Sequence, residues 1–475
     1  MPSSLSANQS KTIYDAIVIG SGLGGLTCAK RLADAGHKIL LLEHHFQLGG
    51  LATWFKRGGH TFDVSLHGFP YGMVKTCKKY WGKTIRDAIV QLKHIVFDNP
   101  QFSLTTTFSK DDFIRILQER FAVAEEVVRQ FFSTIEAMNF YDDQTLRTRD
   151  LFERFFPGRS DIHRLLMEPI SYANGSTLDE PAITYGIVFS NFMNKGVFTF
   201  EGGTDRLIGL MERELKQQGV DIRTGTRVEQ IIIEKGKTQG VIANGKFIPA
   251  RAVISNAGIT NTVDNLIGRQ NFSDSFQRHF TAVRVNNSSC QVYFGIQKGE
   301  EISDIGDLLF TSTEKEFSSK ALCDMQTKSR TFSLYYPKTR PDSPPDYTIV
   351  ASMNANYDDW APLDGESYQL AKNNLIERCL TDLERYLPDV RNKIDTIESA
   401  TPLTFNRYTL HTRGTSFGTK FEGLDASRNL HKEIGGLFHV GSVGIIMSGW
   451  LGAINYGVIV ANDVDSWLRD SKSCF

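Results

Sequence analysis

The stretch Tyr14-Asp15-Ala16-Ile17-Val18-Ile19-Gly20-Ser21-Gly22-Leu23-Gly24-Gly25-Leu26 restricts the fold more than any other part of the chain. A β-branched apolar run ends on Gly-x-Gly-x-x-Gly, and an apolar-periodic segment from Leu26 to Leu32 opens at once. That order predicts a strand, a tight turn and a helix, the unit that holds a dinucleotide pyrophosphate. Gly20 permits the turn, Gly22 clears the backbone N–H groups for the phosphates, and Gly25 lets helix and strand touch. The anion then rests on the positive end of the helix.

With 40 glycines in 475 residues such a motif arises by chance, so its downstream context decides. Gly36 supplies a C-cap, His37 to Leu42 reads as a second strand, and Glu43 stands where a ribose-binding acid belongs. Its carboxylate is expected to accept from the adenosine ribose hydroxyls. The chain is longer than one typical domain and predicts two joined ones. With 53 basic and 54 acidic residues nothing points to nucleic acid. Six widely spaced cysteines show no metal-ligand spacing, so no metal is expected and a reducing, cytoplasmic location is. Residues 1–11 are polar, lack the apolar core of a signal peptide, and read as a disordered tail. Cys474 is too close to the end for prenylation.

Residues 436–461 carry no formally charged side chain and are long enough to span a bilayer. Gly441, Gly444, Gly449, Gly452 and Gly457, with His439 and Asn455, favour a buried strand, turn and helix instead. From about Phe69 to Phe200 the pattern reads as helices, one capped at Ser109 and another striped by Val127, Phe131, Ile135 and Met138. Arg147 and Arg149 beside Asp150 read as solvated charges. Phenylalanine is concentrated in this region, with 32 in the chain against five tryptophans. Individually these residues suit a core; together they suit an aromatic tunnel for a long apolar molecule. Gly202-Gly203 opens a further helix, and Val220 to Asn256 reads as strands with a turn at Asn244-Gly245. Ser288–Ile296 and 347–353 alternate like strands with one exposed face, separated by a loop at 342–346.

The segments Gln47-Leu48-Gly49-Gly50-Leu51-Ala52-Thr53 and Gly58-Gly59-His60-Thr61-Phe62-Asp63-Val64-Ser65-Leu66-His67, taken with the first motif, resemble the flavoprotein family of carotenoid desaturases, carotenoid isomerases and retinol saturases. Thr401 to Thr409, Arg413 to Gly418, and Gly436 to Ser442 followed by Ser448-Gly449-Trp450-Leu451-Gly452 extend the likeness. The resemblance implies an α/β fold, with a Rossmann-like FAD domain of the glutathione-reductase type and an interleaved α+β substrate domain. The FAD domain is expected at 12–75, 200–258 and 425–470, and the substrate domain at 76–199 and 259–424. Cofactor contacts are implied at Gly20, Ser21, Gly22, Gly24 and Gly25, at Glu43 and His44, and at Gly49, Gly50, Leu51 and Thr53. Leu66 and His67 are implied beside the flavin ring, Val228 at adenine, and Asn256 and Ala257 at the close of the meander. Gly441, Ser442, Gly449, Trp450 and Leu451 complete the set. Members commonly carry aspartate where this chain has Ser442. The helix start near Gly449 would aim N–H groups at the flavin pyrimidine.

What the resemblance implies for chemistry is hydride exchange between flavin and carbon, with His67, Tyr408 and Arg407 as the catalytic candidates. Desaturation, saturation and cis-trans isomerisation of a carotenoid or other polyisoprenoid lipid share this machinery. The His67 strand and the Gly-Ser-Val-Gly segment at 441–444 lean toward the isomerase and saturase branches. Peripheral contact with a membrane surface is expected, with the electron partner left open. Two alternatives share the fold: a flavin amine oxidase, and a prenyl-lipid carrier resembling Rab GDP-dissociation inhibitors, whose glycine motif is degraded where this one is complete.

Overall fold

The computed structural model describes residues 13–142 and 144–470, so the expected tail and Cys474 lie outside the described residues. Two seven-stranded sheets position the site. In the first, Tyr14–Ile19 lies between parallel neighbours Ile39–Leu42 and Lys246–Ser255, with Asp221–Arg223 outside Ile39–Leu42. Lys246–Ser255 also continues an antiparallel meander with Lys237–Ala243 and Val228–Glu234. The helix Leu23–Asp34 buries Leu26, Cys28, Ala29 and Leu32, a 3.6-residue stripe, on this sheet.

The carboxy-terminal segment folds as the glycines required. Leu437–His439 joins the first sheet parallel to Lys246–Ser255, and the helix Gly449–Asp470 crosses Leu23–Asp34. A Cβ at Gly457 would lie 2.6 Å from the Gly24 carbonyl oxygen, so the crossing depends on that missing atom. Among the described residues no helix is long and apolar enough to cross a membrane.

The second sheet runs in the order Ile394–Ala400, Ser288–Ile296, Thr348–Ala355, Ser329–Tyr335, Leu308–Ser312, Ile95–Asn99, Phe102–Thr106. Its last two strands correct the expectation of helices throughout 69–200. Phe97 and Leu104 are buried by alternation, and Asn99 Oδ1 accepts from the backbone N–H groups of Gln101 and Phe102, turning the chain between the strands. Ser288–Ile296 is also not a half-exposed strand. Val292 and Phe294 pack under the helix Gly365–Glu384 with Leu375, Cys379 and Leu383, while Ser289, Gln291 and Tyr293 face an interior cavity. The polar half of the alternation points inward.

Two charge clusters tie residues 60–63 to remote parts of the chain. Asp63 Oδ1 accepts from the Thr204 backbone N–H at 2.7 Å and Oδ2 from Arg340 at 2.7 Å; Arg340 also reaches Asp205 at 2.7 Å and the Gly202 carbonyl at 3.0 Å. His60, in the hairpin Trp54–Arg57 and His60–Asp63, places Nδ1 2.7 Å from Asp346 and Nε2 2.8 Å from Asp395. With both nitrogens donating, the ring is an imidazolium. Burial alone would push its pKa down; the two carboxylates outweigh that and hold it above the ordinary value. A folded value above the unfolded one of about 6.5 gives stability that is complete below that pH. It is lost as pH rises through the folded value. The melting-temperature gap between the wild type and His60→Gln is therefore expected to narrow from mildly acidic to alkaline buffer. A gap that stays constant or widens contradicts the assignment.

Candidate functional site

The first strand, the turn after it and the second sheet enclose a cavity of about 840 Å³. At one end lies the glycine turn. Gly20 has φ +91°, open to glycine and strained for other residues, and a Cβ on Gly25 would overlap the Gly20 carbonyl oxygen. No side chain caps the helix Leu23–Asp34, so its first N–H groups are left for a ligand. Gly22 bridges to Gly49, and a Cβ on Gly50 would stand 3.0 Å from Gly22 Cα, so both glycine motifs form one cradle.

Glu43 ends the second strand, is 4 % exposed, and lines this cradle. Its Oε2 accepts from Ser21 N at 2.8 Å and Ser21 Oγ at 2.6 Å, and its Oε1 from His45 N at 2.8 Å. Burial would raise the carboxyl, but the His44 ring, Ser21 and the His45 backbone together hold it below its ordinary value. A buried carboxylate kept ionised at a strand end suits a ribose diol. Val228 lines the same cavity from the start of the meander strand Val228–Glu234, with Asn256 and Ala257 at the end of Lys246–Ser255. A buried relay fixes that end: Tyr456 OH and Ser427 Oγ are 2.6 Å apart, Ser427 is 2.7 Å from His439 Nδ1, and Nε2 is 2.8 Å from the Ala257 carbonyl. Burial pushes His439 down to about 4, so it is neutral, with Nε2–H donating and Nδ1 accepting.

Toward the second sheet, Leu51, Thr53, His67, Ser442, Gly449 and Trp450 line the wall. Trp450 Nε1 donates to Ser65 Oγ at 3.1 Å, Ser65 donates to the Leu51 carbonyl at 2.8 Å, and the indole stacks on Phe69. His67 accepts at Nε2 from the Gln291 amide at 3.1 Å, and its Nδ1 lies 2.9 Å from Ser333 Oγ. Tyr293 OH donates to Gln291 Oε1, which fixes the amide's orientation and hence the His67 tautomer. Burial pushes His67 down to about 4, so it is neutral at physiological pH.

Several expected residues do not line the cavity. Gly25 and Gly441 pack against the Gly20 and Ala257 carbonyls, Leu451 lies beside Gly72, and Leu66 is in the core with its carbonyl accepting from Tyr335 OH. Tyr408 stands at the mouth, 54 % exposed, and the exposed Arg407 guanidinium lies 5.8 Å from its ring centroid. Sequence reasoning missed Gln291, Thr331, Ser352 and Asn354, all in the wall, although their alternation was visible.

A parallel sheet carrying an uncapped glycine turn, a buried strand-end acid and a second sheet closing the cavity defines a Rossmann-type flavoprotein oxidoreductase. The family model described as flavin containing amine oxidoreductase matches residues 23–464. The chain belongs to that family, and FAD is its cofactor. Among relatives, the chloroplastic prolycopene isomerase of Arabidopsis thaliana is 24 % identical over 449 residues, covering 85 % of this chain and 74 % of that one. Phytoene desaturase of Fusarium fujikuroi is 26 % identical over 321 residues, 59 % of this chain and 55 % of that one. All-trans-retinol 13,14-reductase of Homo sapiens is 22 % identical over 481 residues, 87 % and 78 %. Of solved structures, an oxidoreductase from Methanosarcina mazei aligns with TM-score 0.68 at 17 % identity, covering 94 % of this chain and 99 % of that one. Putrescine oxidase bound to putrescine aligns with TM-score 0.65 at 14 % identity, covering 96 % and 99 %.

Glu43→Ala is expected to weaken FAD binding by about 10- to 100-fold, the worth of hydrogen bonds to a charged group. Flavin released into the filtrate on dilution measures it; full retention of FAD by the variant contradicts a ribose role.

Proposed function

We propose that the protein uses FAD to act on carbon–carbon double bonds, or the allylic C–H bonds beside them, of a long hydrophobic lipid of the carotenoid or polyisoprenoid kind. The observation that carries this reading is the continuity of the glycine cradle with an apolar chamber. Phe108, Pro169, Ile170, Phe192, Val197 and Phe310 line that chamber. The charged side chains of the wall, Glu43, Lys56, Arg57, Arg227 and Glu398, belong to the cradle, the hairpin and the outer sheet edge. The chamber offers an ammonium group no carboxylate among the described residues, which favours carbon over amine chemistry.

In this reading the turn Gly20–Gly25 takes the pyrophosphate, Glu43 the ribose, and the Val228 backbone the adenine. His44, Gly49, Gly50, Leu51, Thr53, Asn256, Ala257, Ser442, Gly449 and Trp450 complete the cradle. Bound FAD supplies the acceptor or donor of a hydride. The chain's own part is to orient the lipid and exclude water. His67, neutral and already accepting at Nε2, holds the wall through Gln291 and Ser333 and does not remove a proton. The lipid enters from a membrane surface, where exposed Phe46 beside His45 and Tyr408 gives the mouth apolar insertion points.

Anaerobic incubation of oxidised and of dithionite-reduced enzyme with carotenoids and unsaturated lipids, followed by mass analysis, tests the reading. Loss of a hydrogen pair marks desaturation, gain marks saturation, and an unchanged mass with shifted retention marks isomerisation. If every lipid is returned unaltered in both redox states while amines are oxidised, the reading fails. Vesicle flotation that leaves all protein in solution removes its membrane part.

A further inference from the structure

The formal charge of the chain sums to −1, yet one stretch of its surface is cationic throughout. The strand Phe69–Pro70 leads into the helix Gly72–Tyr80, on which Lys75, Lys78 and Lys79 stand three and four residues apart and so share a face. Met73 and Cys77, on the opposite side, are buried. Lys83 follows on the next short helix, and Lys195 joins from a remote part of the chain. Its Nζ lies 4.7 Å from the Tyr71 ring centroid, and Lys75 Nζ lies 5.6 Å from the same ring. Tyr80 is shared likewise between Lys79 at 4.9 Å and Arg31 at 5.2 Å. All five lysines are exposed. Among the described residues no carboxylate pairs with any of them. The acids beside this face are matched by other cations: Asp87 by Arg86, Asp34 by Lys30 and Arg31, and Glu214 by Lys30.

The same helix stands directly behind the cavity wall. A Cβ on Gly72 would lie 2.6 Å from Leu451 Cδ2, Thr76 Oγ1 donates to Asn455 Oδ1 at 3.1 Å, and Phe69 stacks on Trp450, which lines the cavity. None of the five lysines lines the cavity itself, so they neither hold the cofactor nor admit a substrate. A cationic face one helix away from a redox cofactor suits an anionic protein that exchanges electrons with it; such encounters are small, weak and steered by charge. A bilayer fits less well. Membrane contact takes apolar insertion as well as charge, and no large apolar side chain between residues 71 and 83 is exposed.

We propose that Lys75, Lys78, Lys79, Lys83 and Lys195 form the docking face for a small acidic one-electron carrier protein that reduces the bound FAD. Two carrier molecules give up one electron each, and with one proton from water FAD becomes FADH−. The proposal rests on the flavin ring lying beside Trp450 and is independent of which lipid is the substrate.

The probe is a plant-type [2Fe–2S] ferredoxin, an acidic protein. Calorimetry of oxidised ferredoxin with holoenzyme at low ionic strength is expected to show one site per chain, weakening as salt is added. Lys75→Glu, Lys78→Glu and Lys79→Glu combined are expected to weaken binding about tenfold or more, with FAD content and reduction by dithionite unchanged. Anaerobic stopped-flow mixing with ferredoxin that has been reduced beforehand should show the same drop in the rate of flavin bleaching. No binding by the wild type, binding indifferent to salt, or a variant that binds or accepts electrons as the wild type does overturns the proposal. So does capture of the wild type, but not of the variant, by phosphatidylserine vesicles while ferredoxin reduces both alike, since the face then meets a membrane. No lipid substrate is present in these measurements, so their failure leaves the lipid reading standing, and an enzyme whose flavin takes the electrons but alters no lipid fails that reading alone.

Discussion

Gly22→Val yields a folded but colourless protein. A Cβ at this position would stand 2.7 Å from Asn256 Nδ2, and the Gly49-Gly50 backbone lies against Gly22 on another side. Valine's branches then have only the mouth of the turn to occupy, where the pyrophosphate must approach the uncapped helix. The cost falls on the ligand more than on the fold, because the helix still begins at Leu23 and its buried stripe is untouched. A loss of FAD affinity of about 100-fold or more, equivalent to about 2.7 kcal/mol, is expected. Far-ultraviolet circular dichroism should match the wild type while the flavin spectrum is absent. Retention of stoichiometric FAD by the folded variant contradicts the placement of the pyrophosphate.

Arg340→Met is expected to be the most destabilising single change in the interior. Asp63 is 2 % exposed, and its Oδ2 is met by Arg340, whose side chain is 13 % exposed and also reaches Asp205. Removing the cation strands a buried carboxylate, a change worth about 3–5 kcal/mol. Three separate parts of the chain lose their junction together: the hairpin, the Gly202-Gly203 helix start and the loop that carries Arg340. Urea denaturation should show the midpoint fall, and pairing the change with Asp63→Leu should recover much of it, since replacing both partners leaves no orphaned charge. A double variant as unstable as the single one contradicts this account.

The cofactor half was largely legible because local rules act there. A strand ending in glycines, a helix with a 3.6-residue stripe and an acid at the next strand end each declare themselves within a few residues. Gly24 was legible only as part of a motif; its contacts with the Val440 carbonyl and with Gly457 come from elements more than 400 residues away. The second sheet was harder. Alternation in Ser288–Ile296 is what a half-solvated strand shows, and a polar interior cavity gives the same pattern as water does. The short strands Ile95–Asn99 and Phe102–Thr106 sat among helical segments, and their pairing partner Leu308–Ser312 is remote in sequence. Nothing local reveals that Asp63 meets Arg340 or that His60 meets two aspartates, because each partner comes from the far side of the chain.

The account turns on cradle and chamber being one cavity, so that a lipid meets the flavin. Ala173 lies where the two join, its carbonyl oxygen 3.9 Å from the position a Cβ on Gly449 would take. The direct measurement is an anaerobic titration of holoenzyme with lipid, recording the flavin spectrum of the wild type and of Ala173→Trp. The account predicts a saturable spectral change in the wild type and none in the variant, with one FAD per chain in both. A variant that keeps the wild-type spectral response, or a wild type that binds lipid with its flavin spectrum unmoved, contradicts it.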